Sequence, residues 1–237
     1  MKRERLTLYG RPLAGFAACA ALLGAALLPG CASTPSSRFY TLGGESPTEH
    51  AAAAGQATTP PFLIEVPTVD VPTQVARNQL VVRDSATRVT VLEQERWASP
   101  PADELRRALS SDLAAKLGTF DVFGSPHPQN VPVYRIAVNV GRFESWPGSR
   151  AVLDAVWSVH SLRTQTVVTC RSVETEAVGP GYDALVDGHR RAVGALSDAI
   201  ASVVRAMSSG ARAPTPGANA GDCTTGSTES TANGHAP

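Results

Sequence analysis

The chain has 237 residues and is electrically balanced, with 21 Lys plus Arg against 21 Asp plus Glu. Its basic residues stand singly or in pairs, Arg106 with Arg107 and Arg190 with Arg191. Without a dense basic patch it lacks the electrostatic footprint of a nucleic-acid binder.

The first eleven residues carry Lys2, Arg3, Arg5 and Arg11 against a single Glu4, and residues 13–28 carry no charge. That apolar run covers only about 24 Å as a helix, short of the roughly 30 Å hydrocarbon core, and Gly15, Gly24 and Pro29 interrupt it. It reads as a signal peptide over residues 1–30 rather than a membrane span. Leu28, Gly30 and Cys31 resemble the bacterial lipobox, with Pro29 departing from the small or β-branched residue usual before the glycine. The resemblance implies cleavage before Cys31 and acylation of that cysteine. Several acyl chains make an anchor stable where one is marginal. Ala32 stands where lipoproteins kept at the inner membrane often have Asp, which favours the inner leaflet of the outer membrane, facing the periplasm. Removing the leader leaves 17 basic against 20 acidic side chains.

Residues 31–61 are rich in Ala, Thr, Ser, Gly and Pro and read as a flexible tether with one strand-prone island, "RFYTL", that contains Tyr40. Residues 62–207 form the one expected domain, long enough to bury about 68–70% of its unfolded surface without staples. "FLIEVPTVDVP", "QLVVRD" and "TRVTVLE" read as short strands. In "WASPPADELRRALSSDLAAKLG", Leu105, Leu109, Leu113 and Leu117 recur every four residues, which predicts an amphipathic helix. Ser99 is placed as its cap, Pro100 as its first residue and Gly118 as its stop, and Asp103 and Glu104 suit its positive end. "TFDVFG" reads as a further strand. Tyr134, Ile136, Val138 and Val140 then alternate with Arg135, Asn139 and Arg142, and Leu153, Ala155, Trp157 and Val159 alternate after the "WPGSR" turn. "TVVTCRSVE" continues the antiparallel set. "GPGYD" turns into a second helix in which Leu185, Ala192, Leu196, Ile200, Val203 and Met207 keep the 3.6 period. Strands, helix, strands and helix in this order argue an α+β fold: a mainly antiparallel sheet with two amphipathic helices packed on one face. Residues 208–237 offer nothing large and apolar to bury and read as a disordered tail.

No catalytic residue, metal site or cofactor is indicated. The five histidines are at least 29 residues apart, with no HxH, HxxxH or CxxC spacing. GxSxG, SxxK, GxGxxG and P-loop patterns are missing too. The pairs Asp103 with Glu104 and Asp183 with Asp187 lie in first helical turns, where dipole and solvation explain them. Of the cysteines, only Cys170 and Cys223 remain to pair. A bridge into a disordered tail would tether little, so unpaired thiols are expected ahead of a bridge. Trp97, directly before the first helix, either staples the start of that helix or marks a partner-binding rim, with the staple preferred. Tyr40 is a second partner-binding candidate.

The lipobox at Cys31, "FYTL" soon after it, "IEVPTVDVP", "LVVRDSATRVTVLEQERWASP", the Leu-spaced helix and "GYDALVDGHRRAVGALSDAIA" together resemble the PqiC-type (YmbA-type) auxiliary lipoproteins of bacterial intermembrane transport. "WASP" is the most specific of these elements, and the extension after Ser208 is longer than the family pattern. The resemblance implies a non-catalytic subunit acting beside an MCE-domain periplasmic protein and its inner-membrane permease and ATPase components, at the outer-membrane end of a lipid conduit. A ring of copies would match a symmetric conduit. A lipid-binding carrier and an envelope-integrity lipoprotein are the competing readings. A carrier requires a cavity lined by the apolar faces of both helices.

Overall fold

The computed structural model describes residues 36–43, 60–211 and 223–227. Two sheets and two helices make an α+β fold, as the alternation and helical periods predict. The smaller sheet has the order β1-β4-β3, with β1 Arg38–Tyr40, β3 Gln79–Arg83 and β4 Val89–Trp97. The larger has the order β2-β5-β6-β7-β8, with β2 Leu63–Glu65, β5 Val133–Trp146, β6 Arg150–Ser161, β7 Thr166–Ala177 and β8 Cys223–Ser227. β1 on β4 and β2 on β5 are parallel, and the other pairings are antiparallel. Helix α1 is Pro101–Leu117 and helix α2 is Tyr182–Ser208. α2 lies across β6 and β7, and α1 packs against α2.

The filled space between helices and sheet is the core. Leu105, Leu109 and Leu113 of α1, Ile136 and Trp157 of the sheet, and Leu196 and Ile200 of α2 are almost fully buried there. Trp157 satisfies its indole N–H by donating to Ser172 Oγ at 3.0 Å. Gly188 lets α2 approach the sheet, since a Cβ there would meet Val178 Cγ1 at 2.3 Å.

The alternation in β5 holds from Tyr134 to Val140 and then slips. A bulge between Val140 and Arg142 leaves Gly141 and Arg142 both exposed and reverses the inward face. Because side chains alternate with period two, one extra residue turns Phe143 and Ser145 into the core. The sequence reading did not anticipate this.

Several local expectations are corrected. Residues 38–40, in the strand-prone island of the expected tether, do form a strand, β1, but it belongs to the domain, with Tyr40 and Leu42 in the core. Helix α1 starts one residue later than expected: Pro100 is its N-cap and Pro101 its first residue, and no side chain caps it. The Ser99 hydroxyl instead meets the Arg107 guanidinium. "TFDVFG" makes only a single bridge, Ile64 with Asp121. Asp121 shapes that segment as a turn, since its carboxylate accepts the Val66 N–H at 3.1 Å, the Phe123 N–H at 3.0 Å and the Ser110 hydroxyl at 2.6 Å. Part of the tail read as disordered forms β8, and Cys170 and Cys223 are joined in a disulfide. The expectation of two free thiols fails because the tail returns to pair with β7. The leader, Cys31 and most of the tether lie outside the described residues.

Candidate functional site

Where the segment leading from Cys31 joins the domain, two buried carboxylates and a ring cluster receive it. β1 aligns with the end of β4, with Arg38 opposite Glu95 and Tyr40 opposite Trp97. The strand is short, so side chains hold it. Arg38 donates from Nε to both Glu95 oxygens at 3.0 Å, and the Tyr40 hydroxyl donates to Glu95 Oε2 at 2.6 Å. Burial by itself would raise the Glu95 carboxyl, but the Arg38 and Tyr40 hydrogen bonds outweigh it and hold the group below its ordinary value. Burial and the bond to Glu95 push the Tyr40 phenol up to about 12. Both groups therefore keep one charge state at neutral pH.

One turn of chain later, Glu104 takes over. Its Oε2 accepts the Thr41 hydroxyl at 2.7 Å and the Leu42 N–H at 2.9 Å, while Oε1 accepts from Arg107 at 2.8 Å. Burial opposes its ionisation, yet these donors hold its carboxyl below the usual range. Glu104 is only 1% exposed. The sequence reading grouped it with Asp103 as a solvated helix-start carboxylate, and the structure corrects that: Asp103 is exposed and Glu104 is a buried receptor for the N-terminal segment. Asp183 and Asp187 are exposed.

Beneath β1 lies Trp97, 3% exposed. Its ring centroid is 5.9 Å from Phe143 and 6.2 Å from His189, which stacks on Phe143 at 4.1 Å. His189 Nε2 and Ser145 Oγ are 2.8 Å apart. Full burial pushes the His189 pKa down to about 3, so the imidazole is neutral. Its Nδ1 has no hydrogen-bond partner. With Nε2–H donating to Ser145, the orphaned atom is an acceptor. Sequence reasoning missed Phe143 because its inward turn depends on the β5 bulge, and it weighed His189 only for metal-ligand spacing, although the residue falls on the buried α2 stripe between Leu185 and Ala192. The structure brings Tyr40 and Trp97 together in the interior, with neither side chain on an exposed rim.

The Glu95 and Glu104 carboxylates are taken up by donors from Arg38, Tyr40, Thr41, Leu42 and Arg107. Among the described residues no cluster of His, Cys, Asp and Glu is placed to hold a metal ion, and no helix is long and apolar enough to cross a membrane. The chain matches a family model described as an ABC-type transport auxiliary lipoprotein component, over residues 40–201. It belongs to that family. The matched region begins inside β1 and ends in α2, so it spans both carboxylate receptors and the ring cluster. No curated protein matches the chain. Several solved structures resemble it, among them the following two. A crystal structure of an uncharacterized protein has a TM-score of 0.55 at 20% identity, covering 70% of this chain and 97% of the other. A protein from Xanthomonas campestris has a TM-score of 0.48 at 17% identity, covering 63% and 86%. The first shows the fold.

Proposed function

We propose that this auxiliary lipoprotein is cleaved before Cys31, acylated there, and held at the periplasmic face of the outer membrane, where it docks the far end of an MCE-type lipid conduit. The observation that carries this reading is the attachment of β1. Seven peptide steps separate Cys31 from Arg38, a reach of at most about 25 Å. Arg38, Tyr40 and Leu42 are then bonded into the domain. A lipid on Cys31 would thus hold the whole domain against the bilayer surface, as suits a docking subunit and hinders a carrier that must shuttle. The filled core between α1, α2 and the sheet also favours docking over carriage. The cavity beside β8 is lined by Ser161, Thr164, Thr166 and Thr225 hydroxyls with Val168 and Met207, and α1 takes no part in it.

Two measurements test the proposal. Cys31→Ser should abolish incorporation of labelled fatty acid and leave an unprocessed or soluble chain, and label retained by that variant sinks the anchor. Purification of the native lipoprotein from solubilised envelopes should recover an MCE-domain protein. If none is recovered from cells that encode one beside it, the envelope-integrity reading replaces docking.

A further inference from the structure

β8 is attached to the sheet unlike the other terminal strand. It lies antiparallel on the outer edge of β7, in register from Cys170 opposite Cys223 to Thr166 opposite Ser227. A short edge strand in water persists when its side chains bury enough apolar surface to offset the ordering of its backbone. Thr224, Thr225, Gly226 and Ser227 are all exposed, and Cys223 is the residue that packs against the core. Beside the strand lies a half-open pocket of about 470 Å³, lined by Ser161, Thr166, Val168, Met207, Ala211 and Thr225. Thr225 therefore faces open space rather than packed side chains. What fastens it is the Cys170–Cys223 disulfide. The two cysteines differ in exposure, since Cys170 is 2% exposed and Cys223 is partly exposed.

We propose that the Cys170–Cys223 disulfide is a redox latch, which keeps residues 223–227 on the edge of β7 while intact and, on reduction by a dithiol, releases them, freeing that edge and removing the Thr225 wall of the pocket beside it. The latch is independent of the docking reading above. A thiolate of the dithiol attacks the sulfur of Cys223, the more exposed of the two residues, the Cys170–Cys223 bond breaks, and Cys170 departs as a thiolate that takes up a proton. The second thiol of the reductant then attacks the mixed disulfide and frees Cys223. Two electrons and two protons pass to the protein, and the dithiol becomes a disulfide. The rest of the fold has no need of the bond, because the β7 core face is held by β6 and α2.

The register supplies a test specific to individual amides. The Cys170 and Cys223 Cα atoms are 4.1 Å apart. That is near the roughly 4.5 Å of a non-hydrogen-bonded antiparallel pair, so the Val167 and Thr169 N–H groups point at β8 and those of Val168 and Cys170 at β6. Hydrogen exchange is followed on the full chain in three forms: as isolated without reductant, reduced with dithiothreitol, and as Cys223→Ser. The expected result is exchange at Val167 and Thr169 rising by about tenfold or more in both latch-free forms, with Val168, Cys170 and α2 unchanged. Three results overturn the latch. Protection at Val167 and Thr169 could survive after alkylation has confirmed both free thiols. Protection could instead be lost together across Val168, Cys170 and α2, which would make the bond a staple of the whole fold. Or alkylation could show both thiols free in the untreated chain.

Discussion

Two terminal segments add a strand to a sheet edge, and they are held by opposite means. β1 has three residues, yet Tyr40 and Leu42 are buried, and Glu95 and Glu104 satisfy the polar groups of the segment. β8 has five residues, four of them exposed, and one covalent bond. Strand length and backbone pairing therefore do not decide which edge is permanent. Burial with matched hydrogen bonds makes the first edge part of the core, while the second depends on chemistry that can be reversed.

The largest expected effect comes from removing the floor under β1. Trp97→Ala leaves a large hole beside Phe143 and His189 and should cost about 3–5 kcal/mol, read by denaturant unfolding. A change below about 1 kcal/mol would show that the indole contributes little to the fold and would reopen it as a contact for a partner. Acid should loosen the same cluster. The His189 pKa is about 3 in the fold against an ordinary 6.5, so the unfolded chain binds a proton that the native chain does not. Its contribution is complete above about pH 6.5 and falls as pH drops towards 3, by about 1.4 kcal/mol per pH unit. Glu95 and Glu104 have the same sign at lower pH, each contribution present above the ordinary carboxyl value and lost as pH falls through the depressed one. His189→Leu should flatten the slope between pH 6.5 and 5, where the two carboxylates are still silent. An unchanged slope would assign it elsewhere.

Glu104→Ala is a narrower change, stranding the Leu42 N–H and the Thr41 hydroxyl at a cost of about 2 kcal/mol. Asp103→Ala, one residue away and exposed, should stay within about 0.5 kcal/mol. Equal losses in the two variants would erase the distinction between receptor and solvated carboxylate. The smallest loss from breaking a bonded contact belongs to β8. The disulfide spans 53 residues of unfolded chain, whereas in the folded domain it closes only the stretch from Ala211 to Cys223. The difference in loop-closure entropy is about 1 kcal/mol. Cys223→Ser should therefore lower Tm by roughly 2–4 °C. A drop several times larger would put β8 on the same footing as β1.

The helices and the long strands were legible because their signal is periodic and local. Leu105, Leu109 and Leu113 fall on one helical stripe, and Leu153, Ala155, Trp157 and Val159 on one strand face, whatever they pack against. Features that depend on distant partners were hidden. "RFYTL" is a polar-flanked fragment until Glu95 and Glu104 surround it, and Glu104 looks like any carboxylate in a first helical turn. The bulge at Gly141 changes parity with only a glycine as its mark, so the inward turn of Phe143 and Ser145 towards His189 could not be read in advance. Cys223 sits among Thr, Gly and Ser, and its pairing was invisible without the register of β7.

The separation in sequence between β1 and its receptors sets an order of events for a chain that emerges from its N-terminus. Tyr40 waits 55 residues for Glu95, and Leu42 waits 62 for Glu104. At roughly 5–20 residues per second of synthesis, that interval lasts about 3–12 seconds. His189, which completes the ring cluster, arrives later still. Throughout that time Tyr40 and Leu42 wait without the carboxylates that later hold them, and docking of β1 then withdraws both side chains into the fold.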